Sequence, residues 1–273
     1  MKVYLKKVFV YVILVLGAIT MIIPFIWMVS TSLKSLSEVF RFPPTLFGER
    51  IVWENYISVT KRFPFGLFFL NSSKITVIVT LGQLLTCSMG GFAFARLKFP
   101  FREFLFALYI GTLIIPFHVT LIPTFLLMRF LGWVDTHYSL IIPGLVSPFG
   151  TFLLRQFFLS IPTELEDAAK IDGCTPIGIY WRIFVPLSKP AMATLGIFTF
   201  MGSWNDFLRP LIFINTVDRR TLPLGLAALQ TMYSTDWPVL MAGSVISVIP
   251  VIIVFLALQE YFIKGITLTG LKM

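Results

Sequence analysis

The sequence predicts an all-α integral membrane protein with six transmembrane helices. Three observations carry that prediction. Of 273 residues, 57% are hydrophobic and 13% charged, against about 25% charged in an average soluble domain. Mean hydropathy is +0.88 and there are 29 Phe, which excludes a disordered chain, a nucleic-acid-binding arm and a water-soluble enzyme domain. Six largely apolar runs, at 8–30, 71–95, 104–127, 138–158, 188–212 and 239–263, each reach the ~20 residues a helix needs to cross a bilayer.

The first run follows Lys2, Lys6 and Lys7, as in a secretory signal. It exceeds the 7–15 apolar residues of a signal core and no A-x-A cleavage site follows it, so it reads as a retained first span. An even number of spans puts both termini on one side. Lys2, Lys6 and Lys7, then Arg96, Lys98 and Arg102, then Lys170, Arg182 and Lys189 share one face; Arg129, Arg209, Arg219 and Arg220 lie on the other. Basic residues of short loops stay in the cytoplasm, so the termini and the 159–187 segment are expected there. Further Lys and Arg follow span one, but in a segment of ~40 residues, where the rule is weaker. The net charge of +9 therefore reads as orientation and contact with lipid head groups, not as affinity for nucleic acid.

Pro24, Pro116, Pro123, Pro143, Pro148 and Pro250 fall inside spans. Each removes a backbone donor, so kinks are expected; whether they are hinges or merely tolerated stays open. Span two ends in Ser88, Gly90, Gly91, Ala93 and Ala95, and the Gly91–Ala95 step is a small-xxx-small face for close helix packing. Cys87 and Cys174 fall in a span and a cytoplasmic loop, so no disulfide is expected between them.

The 161–190 segment between spans four and five reads as a compact structure. Thr163 and Glu166 have the spacing of a capping box. Glu164, Glu166 and Asp167 would sit in the first helical turn, where the dipole favours negative charge. Gly173 suits the left-handed residue that ends a helix, and Pro176 the first turn of the next. A helix of about nine residues is unstable alone. Leu165, Ala168, Ala169 and Asp172 share one face, either for insertion into a groove on another protein or for packing on this chain's own spans; periodicity does not choose.

Catalytic constellations are missing from the sequence. It has no G-x-x-x-x-G-K-[ST] phosphate loop, no G-x-S-x-G serine and no paired carboxylates within a span. His118 and His137 lie outside any metal-ligand pattern, so no metal site is expected; His118 reads as a cap or part of a polar seam, His137 as an interfacial residue beside Tyr138. Polar groups in or near span five draw attention because lipid penalises them. At ~1.5 Å per residue from Pro190, Asn205 and Asp206 lie ~22–24 Å from the cytoplasmic end, with Trp204 just before them. They line a translocation path, or Trp204 is interfacial while Asp206 pairs Arg209 one turn later. The outer 32–70 segment, with Lys34, Glu38, Arg41, Pro43, Pro44, Trp53 and Tyr56, supports a docking surface or covers helix ends.

Glu166-Asp167-Ala168-Ala169, Asp172-Gly173, Ile183 and Pro186-Leu187 resemble the EAA loop of inner-membrane permease subunits of binding-protein-dependent ABC importers. The resemblance continues through Leu121-Ile122-Pro123, Leu131-Gly132, Leu154-Arg155-Gln156-Phe157-Phe158, Ile161-Pro162 and Trp204-Asn205, covers roughly 70–263, and is to the carbohydrate branch, in particular the maltose-type permease. Cys174 stands where that family usually has another small residue. The resemblance implies a type I ABC importer permease fold: a first helix and outer segment (1–70), a permease domain (71–263) with its EAA loop at 161–190, and a cytoplasmic tail (264–273).

It further implies that the loop is a coupling helix docking into a cytoplasmic ATPase. Glu166 would make a polar contact or cap there, Ala168 and Ala169 would allow close approach, and Gly173 would form the turn. Asp172 would bond the turn or pair with a partner cation. The implied partners are a second permease in a heterodimer, two ATPase subunits or a dimeric ATPase holding ATP and Mg, and an extracytoplasmic solute-binding protein. The implied cargo is a sugar or oligosaccharide crossing a bacterial or archaeal inner membrane, and the chain itself would be no enzyme and hold no cofactor. The tail from Lys264 to Gly270 resembles one that reaches towards the ATPase subunits. A self-sufficient secondary transporter or channel is the alternative; it predicts buried ionisable residues or an internal repeat, and the spans offer few such groups and no halves related by pattern.

Overall fold

The computed structural model describes residues 2–230 and 235–269. Helices dominate it; among the described residues the sole β feature is an isolated antiparallel bridge between Gln230 and Thr235. The chain divides into two compact units, 1–67 with 225–249 and 68–224 with 250–273.

Among the described residues, four helices are long and apolar enough to cross a membrane: Lys6–Ser32, Phe65–Arg96, Tyr138–Leu159 and Trp237–Glu260. Two bent pairs bring the number to six if each counts as one span. The run at 104–127 is broken: Arg102–Ile114 and Phe117–Phe130 meet at 100°. Pro116 disfavours helical backbone at the residue before it, and Ile115 is extended with ψ 112° while Pro116 has ψ 140°. The run at 188–212 is likewise not continuous. Pro176–Leu187 and Lys189–Trp204 meet at 77°, and the second of these stops at Trp204. The Asn205 backbone N–H closes it on Met201 O, and the next helix, Leu208–Phe213, starts after Asp206. Asp206 Oδ1 accepts from the Arg209 backbone N–H at 3.2 Å, which satisfies a donor at that helix start.

In the first unit, every described side chain from Lys6 to Trp27 is exposed within the chain, as befits an apolar helix that meets lipid on its flanks. The segment after it is ordered by polar contacts. Asn55 Nδ2 donates to the carbonyls of Ser32 and Lys34, each at 2.9 Å. Glu38 accepts from the backbone N–H groups of Glu49 at 2.6 Å and Ser35 at 2.9 Å. These donors, Glu49 first, pull the Glu38 carboxyl down to about 2.

In the second unit, helix packing depends on small residues where the sequence places them. A Cβ on Gly91 would lie 3.0 Å from the Arg155 backbone N and 3.1 Å from Leu154 Cβ, so the Phe65–Arg96 and Pro148–Leu159 helices approach backbone to backbone. Ser147 caps the latter by accepting from the Gly150 N–H at 3.2 Å, with Pro148 in its first turn. Arg155, buried, donates to both Glu103 carboxylate oxygens at 2.8 and 3.0 Å and lies 4.1 Å over the Phe106 ring. That bond ties the Arg102–Gly111 helix to the same bundle. The Trp237–Thr269 helix continues through Lys264, so the expected tail begins as helix; Gly270 lies outside the described residues.

Candidate functional site

The 161–190 segment folds as two short helices at a sharp turn. Its first helix, Thr163–Ile171, starts one residue earlier than a capping box requires, because Thr163 is already its first residue and Pro162 precedes it. The Thr163–Glu166 capping box therefore does not form. Glu166 turns aside to Lys170 Nζ at 2.8 Å and Arg96 Nη1 at 3.8 Å. The Glu166 hydrogen bond, followed by that of Asp167, raises the Lys170 pKa.

The turn matches its sequence signals. Gly173 is left-handed at φ +76°. Its N–H donates to Lys170 O at 3.0 Å and the Cys174 N–H to Ala169 O at 2.9 Å, the paired bonds of a Schellman termination. Thr175 then accepts from the Gly178 N–H at 3.2 Å and caps Pro176–Ile179. The helix continues through a π-helical turn, Tyr180–Phe184, of the kind that often marks functional segments.

The shared face of the first helix splits. Ala169 is buried among Phe158, Ile161, Ile179 and Phe184, so it packs on this chain. Leu165, Ala168 and Asp172 are exposed. The Asp172 carboxylate has no hydrogen-bond or ion-pair partner among the described residues, leaving it unspent on the turn. Around Ala168 the loop exposes Ile171 at 86% and Ile177 at 72%, with Trp181 nearby in sequence also exposed. The loop thus exposes apolar side chains together with a small residue.

Behind the loop lies an aromatic knot that no periodicity announced. Phe92 meets Phe184 at 5.0 Å and Tyr180 at 5.4 Å between ring centroids, and Phe158 meets Phe184 at 5.5 Å. Ser88 Oγ and Tyr180 OH are 2.6 Å apart. The loop is thereby part of the hydrophobic core formed by the helices above it.

The same unit holds a cavity of about 460 Å³, within the ~300–1,000 Å³ of small-molecule sites. Gln83, His118, Thr199, Asp206, Arg209 and Thr221 supply polar groups to a wall otherwise largely apolar. Gln83 Nε2 donates to Gly144 O at 2.7 Å, and its carbonyl accepts from Thr199 Oγ1 at 2.9 Å. Thr221 is buried and its Oγ1 has no hydrogen-bond partner. Arg209 lies 3.8 Å from Asp206 and 5.0 Å over the Phe117 ring.

Of the three span-five residues singled out in the sequence, Asp206 lines this cavity; among the described lining residues Trp204 and Asn205 are absent. Trp204 is buried, stacked on Phe200 at 5.8 Å and edge-on to Phe69 at 5.4 Å. Asn205 Nδ2 turns back to Met201 O at 3.0 Å. His118 lines the cavity, whereas His137 Nε2 meets Arg219 O at 3.0 Å. Sequence reasoning passed over Gln83 and Thr199. The available signal was Gln83 itself, a carboxamide in the middle of a span, where lipid would penalise it.

Membrane-length helices, a cavity whose largely apolar wall carries a few polar groups, and a structured loop that exposes apolar side chains suit a transport subunit. Residues 87–268 match the family of binding-protein-dependent transport system inner membrane components, and the chain belongs to it. It is a multi-pass permease subunit of an ABC importer. It is 38% identical over 254 residues to an arabinooligosaccharides transport system permease, AraQ, of Halalkalibacterium halodurans, covering 92% of this chain and 91% of that protein. The lactose transport system permease LacG of Rhizobium radiobacter is 34% identical, with 93% of each chain covered. The sn-glycerol-3-phosphate transport system permease UgpE of Yersinia pestis is 31% identical, with 95% of each covered. A crystal structure of a bacterial ABC transporter involved in importing the acidic polysaccharide alginate contains a chain that matches with a TM-score of 0.84 and 25% identity, over 94% of this chain and 96% of that one. These relatives are transport permeases, not enzymes.

Proposed function

We propose that this permease imports a sugar or oligosaccharide by alternating access. A second, different permease would complete the pathway, and an extracytoplasmic solute-binding protein would deliver the solute. Two ATPase subunits, or a dimeric ATPase, bind ATP and Mg and hydrolyse ATP in the cytoplasm; this chain supplies the docking loop and part of the path. The relatives' sugar and sugar-related cargoes support the substrate class, and so does a cavity that offers amide and hydroxyl groups for hydroxyl-rich solutes. The clustering of basic residues supports cytoplasmic termini and a cytoplasmic loop.

The observation that carries the docking role is the arrangement at the Gly173 turn. The loop with this turn leaves Ala168, Asp172, Ile171 and Ile177 exposed. Ala168 offers only a methyl group to close approach, Asp172 is available to a cation or backbone donor, and Ile171 and Ile177 supply apolar area at about 25 cal/mol per Å² buried. Gly173 sets the geometry, and Ala169 and Glu166 hold the helix to the rest of the chain. Solubilising the tagged chain in mild detergent, identifying what accompanies it, and assaying ATPase activity with candidate solute-binding proteins tests this reading. Recovery of an ATPase whose activity rises with one binding protein is expected. A chain that purifies alone and moves solute in ATP-free liposomes is instead a secondary transporter.

A further inference from the structure

Arg96 ends the Phe65–Arg96 helix, and its side chain is 7% exposed. Its Nη2 donates to Phe158 O at 2.7 Å and to Ile161 O. Its Nη1 faces Glu166, and the guanidinium lies 5.1 Å over the Phe184 ring. One side chain thus joins the end of the Pro148–Leu159 helix, the first loop helix and the second. Carbonyls at a helix C-terminus lack intrahelical partners and carry the negative end of its dipole, so a guanidinium is well matched there. Its planar fork of donors fixes direction as well as distance.

The second loop helix also meets the Phe65–Arg96 helix through a neutral hydrogen bond, Ser88 Oγ to Tyr180 OH at 2.6 Å, whereas the first loop helix has contacts of other kinds. Lys170 holds Glu166 within one helix and connects it to nothing outside. Ala169 packs through apolar surface, which is non-directional. Arg96 is the charged link from the first loop helix, Thr163–Ile171, to the helix that also carries Ile75, Val79 and Gln83 into the cavity wall.

We propose that Arg96 is a positioning residue for transport: it fastens the coupling loop to the cavity-lining helix, so that displacement of Thr163–Ile171 by a docked ATPase is delivered to Gln83 and its neighbours. This rests on the reading of the loop as the ATPase docking element. When the loop moves, the Glu166 and Phe184 contacts carry the Arg96 end of the helix with it, and the cavity changes shape at the residues upstream.

The test uses the assembled complex in nanodiscs with Cys87 and Cys174 replaced and a reporter, Ser203→Cys, in the cavity wall. The rate of maleimide labelling is compared without nucleotide and with vanadate-trapped ATP–Mg. The unaltered Arg96 background is expected to show a nucleotide-dependent change in rate. Arg96→Gln should shrink that change about tenfold, the scale of a single coupling contact, while ATPase subunits stay bound; Arg96→Lys should recover part of it. A merely structural role would lower the yield of complex and leave the response of the surviving complex intact, which would overturn the proposal. If Arg96→Gln does not assemble, Glu166→Gln, which leaves the Phe158 and Ile161 contacts in place, takes over. Its effect should not add to that of Arg96→Lys, and fully additive effects would overturn the link. A complex that lacks an ATPase overturns the docking reading itself, whereas a bound ATPase with an unchanged Arg96→Gln response overturns the role of Arg96 alone.

Discussion

Thr199 donates its hydroxyl to the Gln83 side-chain carbonyl at 2.9 Å in the wall of the cavity. The bond joins the Lys189–Trp204 helix to the Phe65–Arg96 helix, and Gln83 extends it to Gly144 O at 2.7 Å. Three segments therefore meet on one carboxamide. Thr199→Val keeps the shape but leaves the Gln83 oxygen unpaired, at a cost of about 1–3 kcal/mol. Thermal unfolding in detergent should detect the loss. An unchanged midpoint would mean that the Gln83 oxygen finds another donor.

Gly91 is expected to be the least replaceable small residue of span two. Gly91→Val would push against Arg155 N and Leu154 backbone and Cβ atoms, none of them the end of a flexible side chain, and overpacking of this kind costs about 1–3 kcal/mol. Gly66, with nothing within 4 Å of its Cβ position, is the control, where Ala should be neutral or mildly stabilising. Equal midpoints for Gly91→Val and the parent chain would remove the close helix approach from the account.

The Glu38 carboxyl gives a pH dependence with a definite sign. Its folded pKa of about 2 lies below the ordinary 4.5, so its contribution is fully present above about 4.5 and is lost as pH falls towards about 2. Hydrogen exchange over Ser35–Glu49 should show protection falling in that window. Glu38→Gln should exchange faster at neutral pH and lose the dependence. A variant with the parent profile would assign the protection to other groups.

The parts of the fold visible in the sequence are those decided by neighbours along the chain. Gly173 and Pro176 set the turn through local backbone chemistry, so their conformations matched their signals. Gly91 was legible because helix packing rewards small residues at a fixed spacing. Pro116 signalled a disturbance, but proline in a membrane helix permits a mild kink or a full break, and the 100° turn depends on Ile115 becoming extended. Thr163 and Glu166 have the spacing of a capping box, but the carboxylate goes to Lys170 one turn on at 2.8 Å, with Arg96 at 3.8 Å on its other oxygen. Asn205 and Asp206 were noted as polar residues inside an apolar run; that the helix ends there follows from their bonds to Met201 O and the Arg209 N–H. Trp204 reads in the sequence as an aromatic face on the path or as an interfacial residue, yet it packs on Phe69 and Phe200. Contacts between residues remote in sequence, Phe69 on Trp204 and Arg96 beside Glu166, are the part that sequence neighbours do not announce.

Replacing two adjacent alanines separately tests the central claim, that the loop is an ATPase docking element presenting one face outward. Ala168 is exposed and Ala169 is buried against the aromatic core. The measurement is recovery of the ATPase with the tagged, detergent-solubilised chain, alongside the amount of folded chain. Ala168→Trp is expected to leave the folded chain at parent levels and abolish recovery of the ATPase, whereas Ala169→Trp should reduce the folded chain itself. Full recovery of the ATPase with Ala168→Trp would contradict the claim.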